Sequence, residues 1–279
     1  MGILSTTRRI LITGASRGIG KQAALTLARQ GHTIVLAART LDALRAVAGE
    51  IEAGGGHAEV LSMDVTDESS VRTAVAQMLA RGPCDILVNN AGTCFQAPFL
   101  RQDPARLREE MELNYWGPQR LTRALLPAMI ARREGTIVNV SSLLGFIGTP
   151  TTANYCGTKA ALNAWTHALR GEVAGFGIRT VLFVAPHTRT ELGAATEFDG
   201  VTSLPVEYTV RKLCRAIDRA PRQYAGSPVY SVLLRLAAWF PAFMERRLTA
   251  SVKRLLPAAP PVAVETAAAL VSSSTQRVP

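Results

Sequence analysis

Cysteine, histidine, aromatic side chains and long apolar runs are all scarce in this 279-residue chain, and each scarcity closes off a class of protein. The four cysteines (Cys84, Cys94, Cys156, Cys214) form no Cys-x-x-Cys pair and do not cluster with the four histidines. That argues against a disulfide scaffold and a structural metal site, so no metal is expected and reduced thiols in a cytoplasmic compartment are the default. Charged residues make up 19% of the chain against 48% apolar ones, too few charges and too much apolar surface for a disordered protein. No apolar stretch reaches the ~20 uninterrupted residues that a spanning helix needs. No secretory leader is expected either, because Arg8-Arg9 runs straight into Ile10-Leu11-Ile12-Thr13-Gly14, a short apolar run that ends in a glycine turn. The start Met1-Gly2-Ile3-Leu4-Ser5-Thr6 matches the myristoylation pattern in form only, since that pattern is short.

What is present is alternation. Short β-branched apolar runs (10–13, 33–37, 58–63, 86–88, 136–140 and 179–184) are separated by segments of helical period (22–29, 41–53, 69–80, 106–132 and 154–174). Apolar residues on both faces of each run fit strands covered by helices on both sides. Six strands in this order predict an α/β, Rossmann-type, doubly wound parallel sheet in a single domain over 1–255. Its ligand crevice belongs at the carboxyl ends of the strands. Residues 186–205 read as a substrate loop and 206–255 as a C-terminal helical extension, with a basic helix over 206–220. The segment 256–279 reads as a flexible Ala/Pro/Ser-rich tail.

The sharpest local signal is Thr13-Gly14-Ala15-Ser16-Arg17-Gly18-Ile19-Gly20, set between the first strand and the first helix. Glycines there let the backbone turn tightly and approach a pyrophosphate, while the helix N-terminus offers N–H donors and a positive dipole. Further along stand Asp64-Val65 after the third strand, Asn89-Asn90-Ala91-Gly92 after the fourth, Asn114 in a helix, Ser142 after the fifth strand and Tyr155-x-x-x-Lys159. In order and spacing, from about Arg8 to Thr190, these residues resemble the short-chain dehydrogenase/reductase family. The resemblance implies that Tyr155 is the catalytic acid/base, Lys159 its activator and a ligand of the nicotinamide ribose, Ser142 the hydroxyl that orients a carbonyl and Asn114 the holder of a relay water. It also implies that Asp64 meets the adenine edge, that Val65, Asn90, Ala91 and Gly92 pack along the cofactor, and that Pro186, Thr188 and Thr190 line its nicotinamide end. It further implies a homodimer or homotetramer.

Chemistry supports the catalytic pair separately. Tyr155 and Lys159 lie one helical turn apart, so both project from one face. A phenol of ordinary pKa ~10 is a poor base at neutral pH, and a nearby ammonium is expected to lower that pKa. The cofactor follows from an absence. Ala37-Ala38-Arg39-Thr40 ends the second strand with no carboxylate to take a ribose 2′-hydroxyl, and Arg17 and Arg39 together suit a 2′-phosphate, so NADPH is expected over NADH.

The pattern breaks at Ala185-Pro186-His187-Thr188-Arg189-Thr190, where His187 replaces the glycine that usually follows the proline. Two readings stay open there, a neutral imidazole that reaches the carboxamide or substrate, and a loop histidine that faces solvent. The threonine-rich form is similar to the corresponding segment of 3-ketosphinganine reductases, and a 3-oxoacyl-reductase-like activity is an equal expectation. Thr93, Cys94, Phe95, Leu143, Leu144, Phe146 and Ile147 are the candidate substrate wall, mostly apolar, which favours a lipophilic ketone. The cysteines there read as small hydrophobes.

The formal net charge is +10, and 11 basic residues against 4 acidic ones fall in the last 79. No nucleic-acid recognition module accompanies them, so nucleic acid is not an expected partner. Residues 229–254 combine an apolar, aromatic stretch with later cations, which suits peripheral membrane association, a lid over the pocket or a subunit contact equally. The expected activity is NADPH-dependent reduction of a lipophilic ketone to a secondary alcohol. The rivals are an NADPH sensor on the same fold and a redox-neutral epimerase or dehydratase.

Overall fold

The computed structural model describes residues 7–256. The Met1–Thr6 segment and, from residue 257, the expected tail lie outside the described residues. Seven parallel strands form one sheet in the order β3-β2-β1-β4-β5-β6-β7. They are β1 (Arg9–Thr13), β2 (Thr33–Ala38), β3 (His57–Ser62), β4 (Ile86–Asn89), β5 (Gly135–Ser142), β6 (Ile178–Ala185) and β7 (Gln223–Ala225). The first six match the apolar runs. β7 was not expected, because three residues, exposed or half-buried at the sheet edge, carry no apolar run to betray them.

Side-chain alternation splits the interior into two cores. Ile10, Ile12, Ile34, Leu36, Val88 and Val138 pack beneath α1 (Gly18–Arg29), α2 (Leu41–Ala53) and α8 (Val206–Arg219). Leu11, Val35, Leu87 and Ile137 face the other way, toward α3 (Glu68–Ala80), α5 (Gly117–Arg132) and α6 (Ala153–Val173). Truncating one of these fully buried side chains to alanine costs ~2–5 kcal/mol.

Two expected segments differ from the reading of the sequence. The single helix anticipated over 106–132 is α4 (Pro104–Met111) and α5, joined by a π-helical turn, Glu112–Trp116, that holds the buried Asn114. The apolar stretch 229–248 bends into α9 (Pro228–Trp239) and α10 (Pro241–Ser251). Phe240 has non-helical dihedrals, and Pro241 supplies no N–H to continue α9, so it starts a new helix instead. Among the described residues no helix is long and apolar enough to cross a membrane.

Strand order reverses between β1 and β4, and the loops that leave the carboxyl ends of β1 through β6 converge beside that switch point. Doubly wound sheets bind ligands in that crevice.

Candidate active site

A cavity of about 800 Å³ occupies the crevice. One end is the glycine loop. Gly14 (φ 64°) and Gly18 (φ 55°) adopt left-handed backbone that disfavours any side chain. A methyl at Gly20 would stand 2.2 Å from the Gly14 carbonyl oxygen, so that position admits no Cβ. Asn90 locks the loop from β4, donating from Nδ2 to the Thr13 carbonyl (2.9 Å), while the backbone N–H groups of Asn90 and Ala91 both donate to Thr13 Oγ1 (3.0 Å each). The result is a shallow, side-chain-free cradle at the N-terminus of α1. It fits a pyrophosphate.

Gly14, Ser16, Arg17, Gly18, Ile19, Arg39, Asp64, Val65, Asn90, Ala91 and Gly92 all line this end, with Gly20 packed behind it. Arg17 and Arg39 are exposed, and among the described residues neither forms an ion pair. Asp64 Oδ1 accepts from the backbone N–H (2.9 Å) and hydroxyl (2.7 Å) of Thr66, which fixes the carboxylate at the cavity edge.

The middle of the cavity gathers Ser142, Tyr155 and Lys159. Ser142 Oγ accepts from the Leu144 N–H (3.2 Å), which leaves its own proton free to donate elsewhere. Lys159 is buried and donates to the Val140 carbonyl (3.1 Å), and its Nζ stands 5.8 Å from the centre of the Tyr155 ring. Burial lowers its pKa to about 8 against a smaller upward pull from Cys94 and Glu110. The phenol departs from the expected direction. Burial raises the Tyr155 pKa, Cys94 adds to the rise, and the Ser142 hydroxyl beside it pulls the other way without prevailing. The ammonium donates to the Val140 carbonyl, and the effect of burial on the phenol prevails. Tyr155 is therefore held protonated, the form that donates a proton.

Asn114 does not line the cavity; it braces it from behind. Its Oδ1 accepts from the Thr93 N–H (2.9 Å), and its Nδ2 donates to the Thr93 carbonyl (2.9 Å) and to Thr158 Oγ1 (3.1 Å). Gly92 is required there, because a Cβ would lie 2.9 Å from Asn114 Oδ1. The π-helical turn provides the inward reach, and such turns collect at functional sites.

At the far end, Pro186, Thr188 and Thr190 line the cavity, but the threonine hydroxyls are engaged within the protein. Thr188 Oγ1 pairs with the Pro186 carbonyl (2.7 Å) and Thr209 Oγ1 (2.8 Å), and Thr190 Oγ1 caps α7 (Glu191–Ala194) by accepting from the Gly193 N–H (3.1 Å). His187 does not face solvent; it is half-buried and lines the cavity. Its ring is clamped between Ser203 Oγ (2.8 Å, on Nδ1) and Thr196 Oγ1 (3.1 Å, on Nε2), edge-on to Phe198, and its backbone N–H donates to Tyr230 Oη (2.9 Å). The Thr196 hydroxyl already donates to the Gly193 carbonyl, so it accepts from Nε2–H, which leaves Nδ1 to accept from Ser203. Burial lowers the imidazole pKa, consistent with that neutral tautomer.

Of the expected substrate wall, Thr93, Cys94, Leu143 and Leu144 face the cavity. Phe95 instead lies beneath the Arg106 guanidinium (5.2 Å), Phe146 is exposed and Ile147 is buried under the C-terminal helices. Burial raises the Cys94 and Cys156 thiols, so both stay protonated and act as small hydrophobes. Missing from the expected wall are Leu192, Tyr230, Leu233, Met244 and Leu248. Leu192 comes from the expected substrate loop, while the other four are brought in by the fold of α9 and α10 over the crevice, which local pattern does not reveal. Sequence reading also passed over Glu110, fully buried, which accepts from the Phe95 N–H (2.9 Å) and from Asn154 Nδ2 (2.6 Å) and thereby ties α4 to the first turn of the Tyr155 helix.

A dinucleotide cradle, a Ser-Tyr-Lys cluster and an apolar pocket on a doubly wound sheet define an oxidoreductase acting on CH–OH and C=O groups. The family model for short chain dehydrogenases matches residues 8–199, and the chain belongs to that family. It is 34% identical over 193 residues to the ketoacyl reductase HetN of Nostoc sp., covering 69% of this chain and 67% of the relative. It is 34% identical over 220 residues to a fatty acyl-CoA reductase of Acinetobacter baylyi, covering 77% and 74%. Among solved structures, a short chain dehydrogenase from Burkholderia cenocepacia in complex with NADP superposes with a TM-score of 0.77 at 25% identity, covering 89% of this chain and 99% of that one.

Proposed function

We propose that the protein reduces a lipophilic ketone to a secondary alcohol with NADPH. The observation that carries this reading is the convergence of the Ser142 hydroxyl, the Tyr155 phenol and the Lys159 ammonium between a side-chain-free cradle and an apolar pocket. When bound in the cradle, NADPH supplies the hydride. Ser142 donates its free proton to the substrate carbonyl and holds that oxygen in place. Tyr155, kept protonated by burial, transfers its proton to the same oxygen as negative charge builds there, which leaves an alcohol and a phenolate. The Lys159 ammonium, 5.8 Å from the centre of the Tyr155 ring, is the nearby positive charge that would favour that phenolate. Asn114 holds the Gly92–Thr93 wall, and by resemblance also orders a relay water.

NADPH over NADH rests on Arg17 in the glycine loop and Arg39 at the end of β2, where an NADH site would carry a carboxylate; both guanidiniums are exposed, line the cavity and, among the described residues, form no ion pair. The Burkholderia cenocepacia structure in complex with NADP adds support. A lipophilic substrate, of 3-oxoacyl, long-chain keto, steroid-like or polyketide type, rests on the wall of Leu143, Leu144, Leu192, Leu233, Met244 and Leu248. A ketoacyl reductase and a fatty acyl-CoA reductase among the relatives agree with it. The expected homodimer or homotetramer rests on the resemblance, and sedimentation velocity reads it directly. The protein is read as cytoplasmic, with peripheral contact to a membrane through residues 229–254.

The test is loss of NADPH absorbance with ketones of graded chain length, run beside NADH. Turnover that rises with chain length and prefers NADPH supports the reading. Tight NADPH binding with no turnover on any ketone, in buffer or in detergent, overturns it in favour of a sensor.

A further inference from the structure

The helices that wall the substrate pocket present a second, outward surface. α9 and α10 meet at a corner made of Trp239, Phe240, Pro241, Ala242 and Phe243, and its three aromatic side chains are 79%, 59% and 56% exposed. Val229 and Val232 extend this apolar surface along α9. Large aromatic side chains grouped this openly mark an interaction site rather than ordinary surface scatter.

Charge is arranged around the corner in a regular way. On α9 the exposed residues Val232, Arg235 and Trp239 follow one another at i+3 and i+4, so they share a face and Arg235 sits one turn behind Trp239. On α10, Arg246 and Arg247 lie one turn behind Phe243 in the same manner. Arg235 thus lies ~6 Å along the axis of α9 from Trp239, and Arg246 ~4.5 Å along that of α10 from Phe243. Among the described residues Arg235, Arg246 and Arg247 form no ion pair, and Glu245 is the one carboxylate between 228 and 252.

We propose that this corner docks on an anionic lipid surface, with Trp239, Phe240 and Phe243 below the headgroups and Arg235 and Arg246 at phosphate level. Interfacial segments bury their apolar side ~5–10 Å into the headgroup and acyl boundary, a depth comparable to the offset between tip and guanidiniums. Each cation held near such a surface adds electrostatic attraction. A second copy of the chain fits the same surface poorly. A two-fold contact sets a patch against itself, and a patch of three arginines with Glu245 as its one carboxylate offers its own copy little opposite charge.

The inner faces of these helices, through Tyr230, Leu233, Met244 and Leu248, line the cavity. Docking therefore puts the pocket against the phase in which a lipophilic ketone dissolves, a consequence that rests on the substrate reading above. The docking itself does not.

The experiment is co-sedimentation of the full chain with vesicles of phosphatidylcholine, alone or mixed with phosphatidylserine. Two double variants, Trp239→Ser/Phe243→Ser and Arg235→Gln/Arg246→Gln, accompany the wild type, and none of these four residues lines the cavity. Wild type is expected to bind the phosphatidylserine vesicles and to leave them as salt rises, and each double variant to bind about tenfold or more weakly. NADPH turnover on a water-soluble ketone should be equal in all three proteins. Failure of wild type to bind either vesicle, or equal binding by all three, overturns the proposal. So does a wild-type dimer that the aromatic variant turns into a monomer, since the corner is then a subunit contact. Vesicle binding without ketone reduction would sink the reductase reading and leave the docking intact.

Discussion

Residues 9–185 and residues 186–256 wall the same cavity, but what holds them in place differs. In the first region the functional groups stand at the ends of buried strands or on long helices, and polar cross-links fix them from behind. Asn89 donates to Asn139 (2.8 Å), Asn139 donates to Thr166 (2.8 Å) and Ser141 donates to Asn163 (2.5 Å), a buried lattice joining β4, β5 and α6. In the second region only α8 joins the main core; the two short helices α9 and α10 carry one fully buried apolar side chain, Met244, and the loop that precedes α8 is held largely by hydroxyls around His187. The first arrangement suits a site that must hold a cofactor of fixed shape; the second suits a pocket wall that can adjust to its substrate. The family model's match ends at residue 199, soon after the boundary.

The sharpest way to break this contrast is at the rigid end. Tyr155→Phe removes the proton donor while leaving the ring, so kcat should fall ~10²–10⁴-fold with unchanged thermal stability. Retained activity would move the acid elsewhere. Gly20→Ala should come next in size. Its methyl meets a backbone oxygen, not a flexible side chain, so the cradle must shift. NADPH affinity should drop by tenfold or more, an overpacking cost of ~1–3 kcal/mol that calorimetric titration would read.

A third effect is graded by pH. Burial brings Lys159 to about 8 from an ordinary 10.5, so its charge is lost as pH rises through about 8 in the free protein. If that charge stabilises the phenolate, kcat/KM falls above this pH, and a profile flat to pH ~10 would remove Lys159 from the mechanism. Stability runs the opposite way. Between about 8 and 10.5 the unfolded chain binds the proton that the folded one has released, so unfolding free energy should rise with pH across this window. Lys159→Met should abolish both trends.

These three tests concern residues that were legible in the sequence, and the reason is physical. β1 through β6 announce themselves because strands buried on both faces must be continuously apolar, and Gly14, Gly18 and Gly20 because no other residue fits their backbone or packing. The Tyr155–Lys159 pair was readable from its one-turn helical spacing, and Ser142 through the family resemblance. What stayed hidden depends on distant contacts. Nothing local in Met111-Glu112-Leu113-Asn114 signals a π-helical turn, which forms so that Asn114 can reach Thr93 and Thr158. Glu110 sits in a helix that reads as polar surface, yet it is fully buried against Phe95 and Asn154. The pocket wall of α9 and α10 stood only as one of several readings of 229–254, because its period is that of any amphipathic helix.

The smallest expected effect lies at the seam between the two regions and decides whether they work separately. His187→Gly restores the residue usual at this position in the family and deletes both ring hydrogen bonds, to Ser203 and Thr196, while keeping the backbone N–H that donates to Tyr230. Two hydrogen bonds of ~1 kcal/mol net each, together with the looser backbone of glycine, should raise KM for the ketone about tenfold. The Ser142, Tyr155 and Lys159 geometry is anchored elsewhere, by Leu144, Val140 and the α6 helix, so kcat and NADPH affinity should hold within about twofold. His187→Asn, which can still bond one of the two hydroxyls, should fall between the variant and wild type. A KM effect without a kcat effect places His187 in the pocket's adaptable half. If kcat falls as far as KM rises, the imidazole also orders the nicotinamide end, and the two regions are one mechanical unit.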